Sequence, residues 1–168
     1  MQTEADILHL RPDWDARLSP GDVVAFRFPH ERARGTGPVE IDAIPCLVIA
    51  VLEGGEDRFL ELVGGLPLSA GIGTNFDIVL KSAGARAAAG VRSGWKFVSS
   101  RRVIVSTRHA GFVPEPSTGS PVLGRLDAAG YKRLERLRSL LDAVWMTRHG
   151  RTWRDRADVL GTGSGVSK

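Results

Sequence analysis

The sequence predicts a mainly β fold (α+β), in which a barrel of about six strands is closed by an amphipathic, basic C-terminal helix. Two observations carry this prediction. Short apolar runs separated by turn residues recur between residues 20 and 106, and one apolar stripe at helical spacing covers residues 126–144. A chain of 168 residues fits one domain and can bury a core without disulfides or metals.

The predicted strands begin after a turn at residues 19–22, and each is followed by residues that favour turns or loops. The run 46–52 is purely apolar, which is typical of a strand buried on both faces. It contains the only cysteine, Cys46, for which we expect a buried, unreactive thiol. The six predicted strands cover residues 23–28, 46–52, 58–63, 76–80, 95–98 and 102–106.

The segments between these strands are rich in glycine, proline or charged residues. We therefore expect a polar loop at 29–42, a glycine-rich loop at 64–75 and a connector at 111–124. The three alanines at 87–89 predict a short helical turn within residues 82–94.

One helix is predicted near the C-terminus. Asp127 is placed as its N-cap, Leu126 and Tyr131 are placed as a hydrophobic staple, and Gly150 is placed at its end. The apolar stripe that must pack on the barrel or on a second chain consists of Leu126, Gly130, Leu134, Leu137, Leu141 and Val144. The cations predicted to project away from it are Lys132, Arg133, Arg136 and Arg138.

These elements predict three regions in the chain. Residues 1–19 form a polar N-terminal arm, residues 20–144 form the barrel domain with its helix, and residues 145–168 form a basic extension with a flexible tail. The sequence has no signal-peptide pattern and no apolar run of membrane-spanning length, so a cytoplasmic protein without a membrane partner is expected. No Cys/His cluster has zinc-like spacing, and no metal or cofactor is predicted.

The net charge is distributed unevenly along the chain. Residues 1–100 contain 10 Lys/Arg and 13 Asp/Glu, for a balance of −3, whereas residues 101–168 contain 13 and 6, for a balance of +7. Such asymmetry is typical of a surface that meets phosphate or an acidic partner. A solvated, arginine-rich helix is an equally good interpretation of the charge alone.

The order of several motifs is similar to that of a known family. Residues 20–24 read Pro-Gly-Asp-Val-Val, a polar loop follows, and a proline leads the apolar strand at 45–51. Residues 76–80, the short strand 103–107 and the terminal helix continue the pattern, which over residues 19–144 resembles the PemK/MazF growth-inhibitor toxins. The resemblance implies an SH3-like barrel that pairs as a homodimer and has an antitoxin or another protein as a partner. It also implies metal-independent cleavage of single-stranded RNA that leaves a cyclic phosphate.

Several positions depart from the family pattern. Ile44 stands where the family commonly has an arginine, directly before the proline of the second strand. Gly64 and Gly65 replace a Thr/Ser-rich stretch, and Phe97 and Ser99 stand where some members have an Arg-x-Asp pair. Loss of one preorganised cationic donor costs about 100- to 1,000-fold in rate, so these departures predict weak activity or none.

The candidate catalytic residues are His30, Arg32 and Arg34. They lie in the first long loop, which in the family flanks the RNA groove. A histidine beside arginines provides an acid/base group with a charge partner. The alternative interpretation of His30 is a surface histidine without a function.

The candidate nucleic-acid-binding residues are Arg101, Arg102, Arg108 and His109, which bracket the last predicted barrel strand, together with Lys81. We expect them to contact phosphates, and edge protection of the sheet is the alternative for Lys81.

Trp145, His149 and Trp153 interleave aromatic and basic character. This pattern allows base stacking, although packing of a helix end is the favoured interpretation of the tryptophans. Two functions follow from the sequence as a whole. The first is an RNA-binding protein with endoribonuclease activity. The second is a catalytically inactive barrel that acts as a binding module or inhibitor toward nucleic acid or a protein complex.

Overall fold

The computed structural model describes residues 13–29, 42–54, 57–71, 73–151 and 153. These residues form six strands and three helices, which we number in chain order. The strands are β1 (Asp22–Phe26), β2 (Ile44–Gly54), β3 (Asp57–Pro67), β4 (Ile78–Leu80), β5 (Trp95–Ser106) and β6 (Val122–Arg125). The helices are α1 (Asp13–Ala16), α2 (Ala83–Ala89) and α3 (Ala128–His149). None of the described helices is long and apolar enough to cross a membrane.

The six strands form one antiparallel sheet in the order β4-β5-β3-β2-β1-β6, which confirms a mainly β fold with a C-terminal helix. The sheet is a curled half-barrel that stays open, because its two edge strands, β4 and β6, do not pair with each other. Helix α2 packs against β6 and helix α3 packs against β4. Pairing of strands therefore does not close the sheet into a barrel, and the helices α2 and α3 cover its two edges instead.

The sheet is buried on both faces. On one face it packs against α2 and α3, and this helix-side core includes Val23, Leu47, Ile49, Val63, Phe97, Ala85, Ala89, Leu134, Leu137 and Trp153. The second core, on the opposite face, consists of Leu18, Val24, Phe26, Phe28, Cys46, Val48, Leu60, Leu62, Val105 and Phe112. Strand β2 contributes alternate residues to the two cores, which confirms the prediction of a strand buried on both faces.

Part of the predicted N-terminal arm contributes to the second core. Trp14 packs against it and Leu18 is buried in it. Asp15 is also buried, and its Oδ2 accepts a hydrogen bond of 3.2 Å from Thr107 Oγ1 at the end of β5. Helix α1 is thereby tied to the sheet through both apolar and polar contacts.

Helix α3 has the predicted caps. The Asp127 side chain accepts a hydrogen bond of 2.8 Å from the amide N of Gly130, and Gly150 ends the helix in a left-handed conformation with φ of 68°. The apolar stripe is buried at Leu134 and Leu137, but Val144 is 44% exposed. Leu141 is partly buried against the helix-side core, so Val144 is the stripe residue that does not pack on it.

Three boundaries differ from the predicted ones. Strand β5 is continuous over the span where two strands were expected, and β3 continues to Pro67 through part of the expected loop 64–75. Strand β6 lies within the expected connector 111–124 and extends one residue past it. Long-range pairing explains the second and third differences, because Gly65 to Pro67 of β3 pair with β5 and β6 pairs with β1, and neither depends on local propensity. In β5 the two expected strands are joined by residues 98–101, which have no paired residue in β3.

Candidate nucleic-acid interface

A large bulge in β5 determines where the predicted basic residues point. Val63 of β3 pairs with Arg102, and Gly65 pairs with Phe97, so Gly64 alone faces residues 98–101. Bulges bend a strand and re-aim its side chains. Arg101 is the last residue of the bulge and Arg102 is the first residue after it that pairs with β3, and the two side chains lie on opposite faces of the sheet.

Arg101 lies on the face of the second core. Its guanidinium carbon is 5.3 Å from the centroid of the Phe28 ring, and its Nη1 donates a hydrogen bond of 3.4 Å to the carbonyl O of Gly65. The Phe28 ring in turn lies directly on Gly64, where an added Cβ would meet it at 3.0 Å. Arg101 is thus fixed at the place where the chain leaves the sheet toward His30.

The predicted catalytic residues His30, Arg32 and Arg34 lie outside the described residues. The described chain ends at Pro29 on one side of this segment and resumes at Asp42 on the other. Near this segment the structure describes Arg101, which lies beside Phe28. Phe28 precedes His30 by two residues in the sequence.

Arg102 lies on the helix side of the sheet and contacts a carboxylate. Its Nη1 is 3.3 Å from Oε1 of Glu61, whose side chain is only 5% exposed. Partial burial lowers the pKa of the Arg102 guanidinium below its ordinary value. Because a buried carboxylate is costly without a cation beside it, the surroundings of Arg102 fit structural charge neutralisation.

Arg108 and His109 follow the C-terminal end of β5. Arg108 Nη1 is 3.4 Å from Oδ1 of Asp57 in an exposed ion pair. His109 Nδ1 accepts a hydrogen bond of 2.9 Å from the amide N of Gly111, and its ring packs against Phe26 with a centroid distance of 5.4 Å. The His109 side chain thus stabilises the turn after β5. Arg101, Arg102 and Arg108 therefore do not lie on one common surface.

The aromatic residues near the end of α3 have mixed surroundings. Trp153 is buried in the helix-side core, which confirms packing of the helix end as its role. Trp145 is partly buried there and stacks on His149, with ring centroids 3.9 Å apart. Both line a groove of about 450 Å³ together with Arg102 and Arg148.

Lys81 lies apart from the other predicted residues, in a cleft of about 690 Å³ between β4 and α3. Arg133, Arg136 and the exposed ring of Phe76 line the same cleft. The helical pattern of the sequence predicts only that these two arginines project away from the apolar stripe. Their spacing of three residues places them on one helical face. This spacing is the feature of the sequence that indicates a shared site for the two arginines.

The positions that depart from the PemK/MazF pattern have structural contacts. Ile44 pairs with Phe26 and packs against both cores, and Phe97 is buried in the helix-side core. The amide N and Oγ of Ser99 donate hydrogen bonds of 2.9 and 3.2 Å to Oδ1 of Asp77. Among the described residues, no group of three or more His, Cys, Asp or Glu side chains is arranged to hold a metal ion.

No protein-family model matches this chain, and no curated protein matches it. The PemK/MazF resemblance therefore stays a prediction, and the geometry of the residues carries the functional argument.

Proposed function

We propose that this chain is an RNA-binding protein with an SH3-like, PemK/MazF-type barrel, which binds single-stranded RNA on the sheet face that carries Arg101. The observation that carries the proposal is the position of Arg101, which is held over Phe28 where the chain enters the segment with His30. The proposal joins this cation to His30, the candidate acid/base group, which follows Phe28 by two residues in the sequence.

Arg101 compensates for the isoleucine at position 44. The positive charge of Arg101 acts on the Cys46 thiol in the direction that lowers its pKa. Cys46 lies two residues after Ile44 in β2 and on the same face of the sheet. An arginine supplies a planar set of N–H donors that suits a phosphate group. In this proposal Arg101 binds the phosphate that the family arginine would otherwise contact.

Cleavage, where it occurs, is assigned to the 30–34 segment. His30 takes the proton from the 2′-hydroxyl, whose oxygen attacks the adjacent phosphorus. The bond from phosphorus to the 5′-oxygen breaks, the 5′-oxygen takes a proton from water, and a cyclic phosphate remains. Arg32 and Arg34 stabilise the charge that builds on the phosphorane oxygens. The homodimer and the antitoxin-type or other protein partner implied by the resemblance belong to the same proposal.

Incubation of the purified chain with a long single-stranded RNA in EDTA tests both parts. We expect binding that weakens about 10- to 100-fold in Arg101→Gln, because hydrogen bonds to charged groups contribute about 1.5–3 kcal/mol. Arg92→Gln removes an exposed cation from the segment between α2 and β5 and is the matched control. Cuts at fixed sites that disappear in His30→Ala would establish the enzyme.

A second function is that of an inactive binding module or inhibitor. It is favoured because Ile44 and Phe97 pack in the core and Ser99 donates hydrogen bonds to Asp77. It predicts that RNA is bound without being cut and that His30→Ala changes nothing. RNA binding that is equal in the wild type and in Arg101→Gln would contradict both functions as they are assigned to this face.

A further inference from the structure

The cleft between β4 and α3 has an apolar floor and a charged rim. Leu80, Ala85 and Leu137 are buried at its base, whereas Lys81 and Arg133 are exposed at its edge. Its volume of about 690 Å³ lies within the range of small-molecule sites, which is about 300–1,000 Å³.

Three cations face this cleft from two different elements. Lys81 follows β4, whereas Arg133 and Arg136 are on α3. No ion pair joins any of the three to another residue in the described part of the chain. Arg133 Nη1 donates a hydrogen bond of 3.0 Å to the carbonyl O of Val79, which holds the guanidinium across the cleft and leaves its remaining donors for a ligand.

The two carboxylates of the cleft are engaged by backbone groups. Asp77 accepts hydrogen bonds from the amide N of Thr74 at 2.7 Å and of Ser99 at 2.9 Å, while Asp127 caps α3. Asp77 also has a cation nearby, because its Oδ2 and Lys96 Nζ both lie within 3.5 Å of the point where a Cβ on Gly73 would be. These contacts reduce the repulsion that the carboxylates would exert on an anion in the cleft.

Phe76 presents an aromatic face at the rim. Its side chain is 51% exposed, although it belongs to a turn that Asp77 fixes through its bonds to Thr74. The amide N of Phe76 also donates a hydrogen bond of 3.3 Å to Thr74 Oγ1. An exposed aromatic ring on an ordered turn is a surface on which a base can stack.

We propose that this cleft binds a nucleotide unit, with the base stacked on Phe76 and the phosphate held by Arg133, Arg136 and Lys81. The unit is either a free nucleotide or one nucleotide of a single strand. An acidic peptide added to β4 fits less well, because β4 has three residues and Arg133 already occupies the Val79 carbonyl. This site uses residues other than those around Arg101 and does not rest on the proposed function.

Two probes test the site, adenosine 5′-monophosphate by calorimetry and a fluorescein-labelled 12-nucleotide oligouridylate by fluorescence anisotropy. In the double variant Arg133→Gln/Arg136→Gln we expect binding of at least one probe to weaken 10-fold or more, because two charge-assisted contacts are lost. Phe76→Leu, which keeps an apolar side chain but removes the aromatic face, is expected to weaken it about 5-fold or more.

Lys132→Gln is the matched control, because Lys132 is an exposed cation beside Arg133 that does not line the cleft. Binding of the mononucleotide that depends on these residues identifies a free nucleotide, and binding of the oligonucleotide alone identifies a strand. The proposal is overturned if neither probe binds, if the cleft variants bind as the wild type does, or if Lys132→Gln weakens binding equally. Arg101→Gln separates the two sites, because it tests the proposed function and should leave mononucleotide binding unchanged.

Discussion

At the scale of single residues, the thiol of Cys46 is fully buried between the strands of the sheet. Burial raises its pKa from the ordinary 9.0 to about 12, although the nearby positive charge of Arg101 acts in the opposite direction. Between these two values the folded chain holds a proton that the unfolded chain has lost. The contribution of this group to stability is therefore complete below pH 9 and is lost as the pH rises toward 12.

We expect Cys46→Ala to remove this pH dependence. At pH 8 the variant should be less stable than the wild type, because it leaves a small cavity in the second core. From pH 9 to pH 10 the stability difference between the two proteins should shrink by about 1 kcal/mol, since one pKa unit corresponds to about 1.4 kcal/mol. Urea unfolding at pH 8, 9 and 10 measures the difference, and a constant difference across this range would contradict the raised pKa.

Adjacent residues of the same type can have different roles, as Arg101 and Arg102 show. The sequence presents them as one basic pair, yet Arg101 lies over Phe28 while Arg102 contacts the buried Glu61 on the other face. The separation occurs at the end of the bulge in β5, where Arg102 is the first residue to pair with β3 again. Predicting it required knowing that β5 is continuous through residues 101 and 102, which depends on its pairing with β3.

At the scale of elements, the contact between α2 and β6 covers an edge of the sheet, and it depends on close backbone approach. A Cβ at Gly124 of β6 would lie 2.3 Å from the carbonyl O of Ala88 in α2. We expect Gly124→Ala to destabilise the fold by about 1–3 kcal/mol, because backbone atoms must move to make room. The shift in the urea midpoint at constant denaturant dependence measures this effect.

Gly84→Ala is the control for this prediction. Gly84 lies in the same helix α2, and a Cβ there would meet nothing within 4 Å. Replacing it should be neutral or stabilise the protein by up to about 1 kcal/mol, because alanine reduces the conformational freedom of the unfolded chain. Equal effects of the two substitutions would show that the close approach between α2 and β6 does not limit stability.

Elements whose stability is local were the ones that the sequence predicted well. The caps of α3 at Asp127 and Gly150 have specific residue signatures, and the purely apolar run of β2 is typical of a strand buried on both faces. Strand β6 has four residues and no comparable signal. It exists because Val122 to Arg125 pair with β1, and such partners cannot be read from a local pattern.

In the whole molecule, the basic residues are distributed over two separate surfaces, the cleft between β4 and α3 and the sheet face that carries Arg101. Of the +7 balance of residues 101–168, +3 lies on α3, which contains five Lys/Arg and two Asp/Glu. Arg133 and Arg136 of that helix face the cleft with Lys81. Arg101 lies instead over Phe28 on the face of the second core, whereas Arg102 and Arg108 have carboxylate partners. The sequence determines the sign of the charge, whereas the fold determines which cations lie close together.

The salt dependence of RNA binding should report how many of these cations contact phosphate. Each contact with a single strand changes the slope of log K against log salt by about −0.7. Contacts by Arg101, Lys81, Arg133 and Arg136 together therefore predict a slope of about −3, and Arg101→Gln should make it less steep by about 0.7. Anisotropy of a labelled oligouridylate between 50 and 300 mM salt, a range of about 6-fold in concentration, measures the slope. Arg92→Gln should leave the slope unchanged, and a wild-type slope near zero would mean that RNA is not bound through its phosphates.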